Sequence, residues 1–236
     1  MPPPRPPQRL YLITPPVADP AAFARELESA LGAADIAAVL LQFAPADEHA
    51  LIERAKALAE IVQRRDVAIL LDGRPEIVAR AGADGAHLSG VAPLAAALAL
   101  LKPDRIAGAG GLSSRHDAML AAETRADYVM FGEPPPPSPP PRAGEGKGGG
   151  PPPHAEARGG GDRRLPFDDL LERLTWWAEL FELPCVGYAA SLDEVGPLVA
   201  TGADFIALGE WIWNEPQGVA ASVAAAAEIL AAPAAR

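Results

Sequence analysis

A short phrase that recurs along the chain constrains the fold more than any other feature of the sequence. In each copy a small residue precedes an aspartate, and a short apolar run follows it. The four copies are centred on Asp35, Asp84, Asp127 and Asp204. Glycine ends helices because it readily adopts left-handed backbone geometry, and a short apolar run suits a strand buried on both faces. Each copy therefore predicts a helix end, a tight turn and a buried strand.

The spacing of the copies predicts how many such units the chain contains. Successive aspartates of the phrase are 49, 43 and 77 residues apart. The longest gap contains a tract, residues 134–164, with ten prolines and eight glycines. Without this tract, the gap approaches the length of the others, which is near the period of two strand–helix units.

Apolar runs and turn residues predict eight strands that alternate with eight helices. The predicted strands are 9–14, 36–42, 67–71, 85–88, 105–109, 128–131, 185–188 and 205–208. The predicted helices are 20–31, 47–64, 75–81, 92–101, one from 113 or 114 to 126, 166–181, one opening at 191 with a capping box, and 217–230. Nearly continuous apolar strands covered by helices indicate a parallel sheet, and a closed (β/α)8 TIM barrel is the simplest arrangement. An open doubly wound sheet is the alternative, but it lacks a glycine-rich fingerprint after strand one.

The predicted domain organisation is a single barrel with two low-complexity segments. Residues 1–8 form a proline-rich tail that we expect to be disordered, and residues 9–236 form one domain. The tract at 134–164 is a low-complexity insertion after strand six, with too little apolar surface to fold.

Composition and charge exclude several classes of function. The net charge is −11 with a pI near 4.8, which argues against partners such as nucleic acids or anionic membranes. The single cysteine, Cys185, excludes an internal disulfide and fits a reducing compartment. Neither a signal-peptide core nor a run of transmembrane length is present, so we expect a cytoplasmic protein. A homo-oligomer remains open.

Barrel enzymes place their sites at the carboxyl ends of the strands, which gives a short set of candidate residues. These are Gln42, Asp72, Arg74, His87, Gly110, Ser113, Gly132, Glu133, Ala190, Ser191 and Glu210. His116, on the helix predicted after strand five, is a further candidate. Gly110 to Ser113, and Ala190 with Ser191, form turns whose backbone N–H groups could bind a phosphate. Each candidate also has a structural interpretation, such as helix capping or, for a strand histidine, burial in the core.

The acidic residues at this end of the barrel could bind a cation. Asp72, Glu133 and Glu210 all follow strands and should face the same mouth. Together they would repel an anionic ligand such as pyrophosphate unless a cation intervened, so these three residues are candidate metal ligands. Trp211 and Trp213 could form an aromatic wall there, although packing against the last helix explains them equally well.

Several segments resemble thiamine phosphate synthase and its TenI-type relatives. The matching segments are Leu10–Pro15, Leu41–Phe43, Ala81–Leu88, Ala126–Gly132 and Gly202–Asp204, and the resemblance covers the chain outside the tail and the tract. It implies a (β/α)8 barrel that joins a pyrimidine diphosphate to a thiazole phosphate, with magnesium as the cofactor and loss of pyrophosphate. TenI-type members instead tautomerise the thiazole.

The sequence departs from the family pattern at the charged positions. Ala44 and Ala46 stand where the family holds pyrophosphate with an arginine and a lysine. Gly73 replaces a magnesium-binding aspartate, a role into which the adjacent Asp72 could shift, and a second such aspartate falls near Ala92. The family loop after strand six is replaced by the proline-rich tract.

Three hypotheses follow from the residues and the resemblance. The first is a synthase-like barrel with a lost or rebuilt magnesium and pyrophosphate site, which still binds a small phosphorylated or heteroaromatic molecule. The second is a TenI-like tautomerase with His87 or His116 as the proton carrier. The third is a non-catalytic ligand-binding or regulatory barrel in which the tract 134–164 is an interaction arm.

Overall fold

Eight strands alternate with helices in the computed structural model of the chain, which describes residues 6–134 and 164–232. The strands are β1 (Arg9–Ile13), β2 (Ile36–Leu41), β3 (Ala68–Asp72), β4 (Gly85–Ser89), β5 (Ile106–Gly110), β6 (Tyr128–Phe131), β7 (Cys185–Ala189) and β8 (Phe205–Leu208). The helices in these ranges are α1 (Pro20–Leu31), α2 (Glu48–Gln63), α3 (Val78–Ala81), α4 (Val91–Leu101), α5 (Arg115–Glu123), α6 (Phe167–Leu180), α7 (Leu192–Ala200), α8 (Trp211–Asn214) and α9 (Val219–Ala231).

The strands form one closed parallel barrel in the order of the sequence. The closure is direct, because β1 pairs with β2 on one side and with β8 on the other. The predicted (β/α)8 barrel is therefore confirmed, and the open doubly wound alternative is wrong.

The predicted elements all form, with differences at their ends. Strands β3 and β5 each lie one residue later than predicted, because Asp72 and Gly110 pair with residues of β4. The predicted helix 75–81 is a 3₁₀ turn at Pro75–Ile77 followed by α3. The short helix α8 is absent from the sequence prediction, and it delays the last helix to Val219.

The repeated aspartates have a structural role at the amino ends of the strands. Asp84 accepts a hydrogen bond from the backbone N–H of Ile69 in β3 at 2.8 Å. Asp127 accepts from Ala107 in β5 at 2.6 Å, and Asp204 accepts from Cys185 in β7 at 2.8 Å. Each aspartate therefore satisfies a strand-start donor in the preceding strand, since buried backbone groups need partners.

The turns before these aspartates require unusual backbone geometry, as the sequence predicts. Gly82 and Gly202 have φ of 71° and 81°, in the left-handed region that glycine tolerates. The equivalent position of the third copy is Arg125, whose φ is 76°. An L-residue with a side chain is strained there. Asp35, the aspartate of the first copy, forms an ion pair with the side chain of Arg9.

Buried side chains form two separate layers, one between the strands and the helices and one inside the barrel. The inner layer consists of residues that alternate along the strands: Tyr11, Ile13, Ala38, Leu40, Leu70, Tyr128, Met130, Val186, Tyr188 and Ala207. This alternation places Gln42, Asp72 and His87 on the inward face as well, towards the carboxyl end of the barrel.

The predicted tail and insertion lie largely outside the described residues. Gln8, at the end of the tail, is described, and its side chain donates hydrogen bonds to the carbonyls of Val199 and Ala203. Within residues 6–134 and 164–232, no helix has the length and apolar character needed to cross a membrane.

Candidate active site

Gln42 and Asp72 form the part of the mouth at the ends of β2 and β3. Gln42 directly follows β2, and its side-chain amide donates to Asp72 Oδ2 at 3.0 Å. Burial raises the pKa of Asp72, an effect that His87 and Gln42 partly oppose. The sequence places both residues at the mouth but does not predict that they are bonded to each other.

His87 lies at the centre of a buried hydrogen-bonded chain inside the barrel. Its Nδ1 lies 2.8 Å from the Tyr128 hydroxyl, which lies 2.9 Å from the Tyr11 hydroxyl. The imidazole stacks on the Tyr128 ring with centroids 5.7 Å apart. Burial raises the pKa of both tyrosines, so their hydroxyls stay protonated and act as hydrogen-bond donors and acceptors.

Glu133 contacts the opposite side of the His87 ring. Its Oε1 lies 3.6 Å from His87 Nε2 and also accepts a hydrogen bond from the backbone N–H of Gly111. Its Oε2 is buried and is the one buried side-chain N or O atom without a partner among the described residues. Burial lowers the pKa of His87, but the carboxylates of Glu133 and Asp72 together raise it by more, so the net shift is upward.

Glycines on the inner face of β5 leave the space that these side chains occupy. A Cβ atom at Gly110 would overlap both Glu133 Oε1 and His87 Nε2, and one at Gly108 would overlap the Tyr128 ring. Alanine at either position would force these side chains apart. Gly110 therefore contributes to the site through its lack of a side chain.

Arg164 forms an unpredicted clamp between the ends of β6 and β7. Its Nε donates to the Gly132 carbonyl at 2.7 Å, and its NH2 donates to the Tyr188 carbonyl at 2.8 Å. It also makes a bidentate ion pair with Glu194, with both N–O distances 2.7 Å. Arg164, the last residue of the 134–164 tract, is thus bonded to the ends of both strands. The sequence predicts that this tract has too little apolar surface to fold.

The predicted capping box at the start of α7 is wrong. The side chain of Ser191 makes no capping hydrogen bond. Glu194, its expected partner, instead pairs with Arg164 and accepts from the backbone N–H of Ala190 at 2.7 Å. The Ala190 donor, a candidate for binding phosphate, is therefore occupied by a carboxylate of the protein.

Other candidates lie at the rim, away from the buried chain. The side chain of Arg74 is 51% exposed, and its ion-pair distance to Glu76 is 3.8 Å. The Ser113 hydroxyl donates to Asp117 at 2.7 Å, and His116 is exposed in the first turn of α5. The structure places His87 among the site residues inside the barrel, whereas His116 lies outside the site.

The three predicted carboxylates do not converge on one metal position. No group of three or more His, Cys, Asp or Glu side chains in the described ranges is arranged to hold a metal ion. Glu210 is exposed in the turn before α8. Trp211 and Trp213 each donate an indole N–H to a backbone carbonyl, of Ala189 and Ile13 respectively, and both pack against the core between the strands and the helices.

Four residues of this arrangement are not among the sequence candidates: Tyr11, Tyr128, Arg164 and Glu194. The two tyrosines share the inward alternation of His87, a period-two signal that could have identified them. Arg164 has no such signal, because a single arginine at the end of a low-complexity tract does not indicate its partner.

Comparisons with known proteins agree on one family. A family model described as thiamine monophosphate synthase matches residues 10–142. A thiamine-phosphate synthase of Rhodospirillum centenum is 41% identical over 218 residues, which cover 92% of this chain and 94% of the relative. Another, of Hyphomonas neptunium, is 38% identical and covers 94% and 93% of the two chains.

Solved structures share the fold. A thiamine phosphate pyrophosphorylase from Pyrococcus furiosus superposes with a TM-score of 0.70 at 21% identity, covering 94% of this chain and 95% of that one. A 3-hexulose-6-phosphate synthase from Salmonella typhimurium has a TM-score of 0.64 at 14% identity, covering 94% and 98% of the two chains. At these identities the likeness concerns the barrel alone.

Proposed function

Because the chain belongs to the thiamine phosphate synthase family, we propose that it joins a pyrimidine diphosphate to a thiazole phosphate with loss of pyrophosphate. The substrates bind at the carboxyl ends of the strands, where the polar inward residues lie. The observation that carries the proposal is the bonded pair of Gln42 and Asp72 beside the buried His87, in a chain whose relatives of this name align along more than nine-tenths of it.

The mouth offers the chemistry that a small heteroaromatic substrate requires. Gln42 and Asp72 present an amide and a carboxylate that can hydrogen-bond ring nitrogens or amino groups. His87 is fixed by Tyr128 on one side and Glu133 on the other, so its ring is preorganised. These residues orient a substrate and place hydrogen-bonding groups around it.

The family implies magnesium, and the donors present fit such an ion only in part. Mg²⁺ commonly takes one or two carboxylates and completes its shell with water and substrate phosphates. Asp72 is a half-buried carboxylate of this kind at the mouth, whereas Glu210 lies apart from it. Bound there with substrate, the ion would neutralise the charge of the departing pyrophosphate.

The proposal is tested by measuring thiamine phosphate formation by mass spectrometry. Purified protein is mixed with hydroxymethylpyrimidine diphosphate, thiazole phosphate and magnesium, and the rate is compared across variants. We expect product in proportion to the protein concentration and a loss of about a hundredfold in Asp72→Asn, the size typical of removing one electrostatic contact in a transition state. Arg80→Gln is the matched control, since Arg80 makes a surface ion pair with Glu48. A folded protein that forms no product would refute the proposal.

The buried histidine supports a second candidate, proton transfer on the thiazole as in TenI-type proteins. His87 contacts a hydroxyl and a carboxylate, an arrangement that suits a general acid or base. This function predicts tautomerisation with a pH-dependent rate that His87→Asn abolishes. His49→Asn is the control, because His49 is exposed on α2. Equal rates in both variants would exclude His87 as the proton carrier.

A further inference from the structure

A carboxylate of the protein lies between a backbone N–H and an imidazole at the end of β5. Glu133 Oε1 accepts the Gly111 N–H and lies 3.6 Å from His87 Nε2. A backbone N–H beside an imidazole is an arrangement that binds an oxyanion, because charge-assisted hydrogen bonds to anions are strong. In this chain the oxyanion at that position belongs to Glu133.

Two further observations show that Glu133 is fitted to this position. The site exists only because residue 110 is glycine, since a Cβ there would overlap both Glu133 and His87. Glu133 Oε2 is buried with no hydrogen-bond partner among residues 6–134 and 164–232, a condition that carries a free-energy penalty. The contacts of Oε1 therefore stabilise this position of the side chain and offset the free-energy penalty of burying Oε2.

A second carboxylate of the protein occupies a backbone donor at the end of β7. There Glu194 accepts the Ala190 N–H and pairs with Arg164. Two strand-end donors that could bind a phosphate are thus occupied by side chains of the protein. Glu133 is the more informative of the two, because it contacts His87 within the mouth.

We propose that Glu133 is a specificity-determining residue that fills an anion site made by the Gly111 N–H and His87, and so excludes phosphate groups from the β5–β6 side of the mouth. A ligand then places an uncharged or N–H-bearing group against this side, where the carboxylates of Glu133 and Asp72 favour hydrogen-bond donors. This inference rests on the proposed function only for the identity of the substrate.

The experiment measures binding of inorganic pyrophosphate by isothermal titration calorimetry in magnesium-free buffer with a chelator. The variants are Glu133→Ala, which empties the site, and Glu133→Gln, which keeps the shape of the side chain and removes its charge. Glu210→Ala is the matched control, because it removes the same charge from an exposed position after β8. The double variant Glu133→Ala/His87→Asn tests whether the vacated site uses the imidazole.

We expect Glu133→Ala to bind pyrophosphate at least about tenfold more tightly than the wild-type protein, because a charge-assisted hydrogen bond to the ligand forms and a charge repulsion is removed. Glu133→Gln should give a smaller increase in affinity, Glu210→Ala a change of less than about threefold, and the double variant should lose most of the increase. Equal increases in Glu133→Ala and Glu210→Ala would reduce the effect to net charge and overturn the inference. So would unchanged or weaker binding in both Glu133 variants.

The outcome is independent of catalysis. A wild-type protein that forms thiamine phosphate while Glu133→Ala shows no increase in affinity would keep the proposed function and refute this inference. Tighter binding by Glu133→Ala in a protein that forms no product would refute the proposed function and support this inference. Repeating the titration with magnesium separates a further role, since a Glu133 that held the metal would make the alanine variant bind pyrophosphate more weakly.

Discussion

The Arg164 clamp makes a sharp prediction about stability. Replacing Arg164 with glutamine removes most of its four hydrogen bonds, of which two are to Glu194 and one each to the carbonyls of Gly132 and Tyr188. The ion-paired side chains are 23% and 19% exposed, so solvent screens the pair less than at a surface site. We therefore expect the free energy of unfolding to fall by well over the contribution of an ordinary surface ion pair.

The magnitude follows from the groups that lose their partners. A hydrogen bond to a charged group contributes about 1.5–3 kcal/mol, but glutamine can retain one such contact and water can reach the rest. We expect the free energy of unfolding to fall by about 3 kcal/mol, near the lower bound for breaking a buried pair. For a domain of this size that loss corresponds to a melting temperature lower by about 6–12 °C.

Thermal and urea denaturation followed by circular dichroism measure this change. Arg80→Gln is the control, because the side chains of Arg80 and Glu48 are 59% and 56% exposed and their pair should contribute less than about 1 kcal/mol. A double-mutant cycle with Glu194→Gln isolates the ion pair from the two carbonyl contacts. Equal destabilisation by Arg164→Gln and Arg80→Gln would refute the argument.

Four further substitutions test other parts of the structure. Gly110→Ala presses a methyl group against His87 and Glu133, and overpacking should lower the free energy of unfolding by about 1–3 kcal/mol. In contrast, Gly196→Ala inside α7 makes only an ordinary contact and should raise it by about 0.5–1 kcal/mol; urea denaturation that showed the same sign for both would contradict this. Arg125→Gly should raise the melting temperature, because relief of about 1–2 kcal/mol of left-handed strain exceeds the roughly 0.5–1 kcal/mol of backbone entropy that glycine loses on folding; a lower melting temperature would contradict this. Burial lowers the pKa of His87 and the neighbouring carboxylates raise it by more, so the stability that this residue contributes is complete below its unfolded pKa of about 6.5 and is lost as the pH rises through the higher folded value. The difference in melting temperature between the wild-type protein and His87→Gln should therefore shrink as the pH rises, and a pH-independent difference would contradict it.

The inward face of the strands was predictable in part. Alternation along each strand fixes which residues point into a barrel, so Gln42, Asp72 and His87 could be placed at the mouth from the sequence. The bond between Gln42 and Asp72 could not, because it depends on the register of β2 against β3. The capping box at Ser191 failed for the same kind of reason, since Arg164 provides Glu194 with a stronger partner.

The sequence by itself determined the architecture of this protein. A phrase repeated four times carries local signals, the glycine turn, the aspartate and the apolar run, and local signals suffice to define a strand–helix unit and its number. Tertiary structure decided which groups meet. His87 and Tyr128 are 41 positions apart, and Tyr11 and Tyr128 are 117 apart, so their hydrogen bonds exist only because closure brings β1, β4 and β6 around one interior. The aspartates of the phrase likewise proved to bind the starts of neighbouring strands, a role that depends on parallel pairing and is invisible in a single unit.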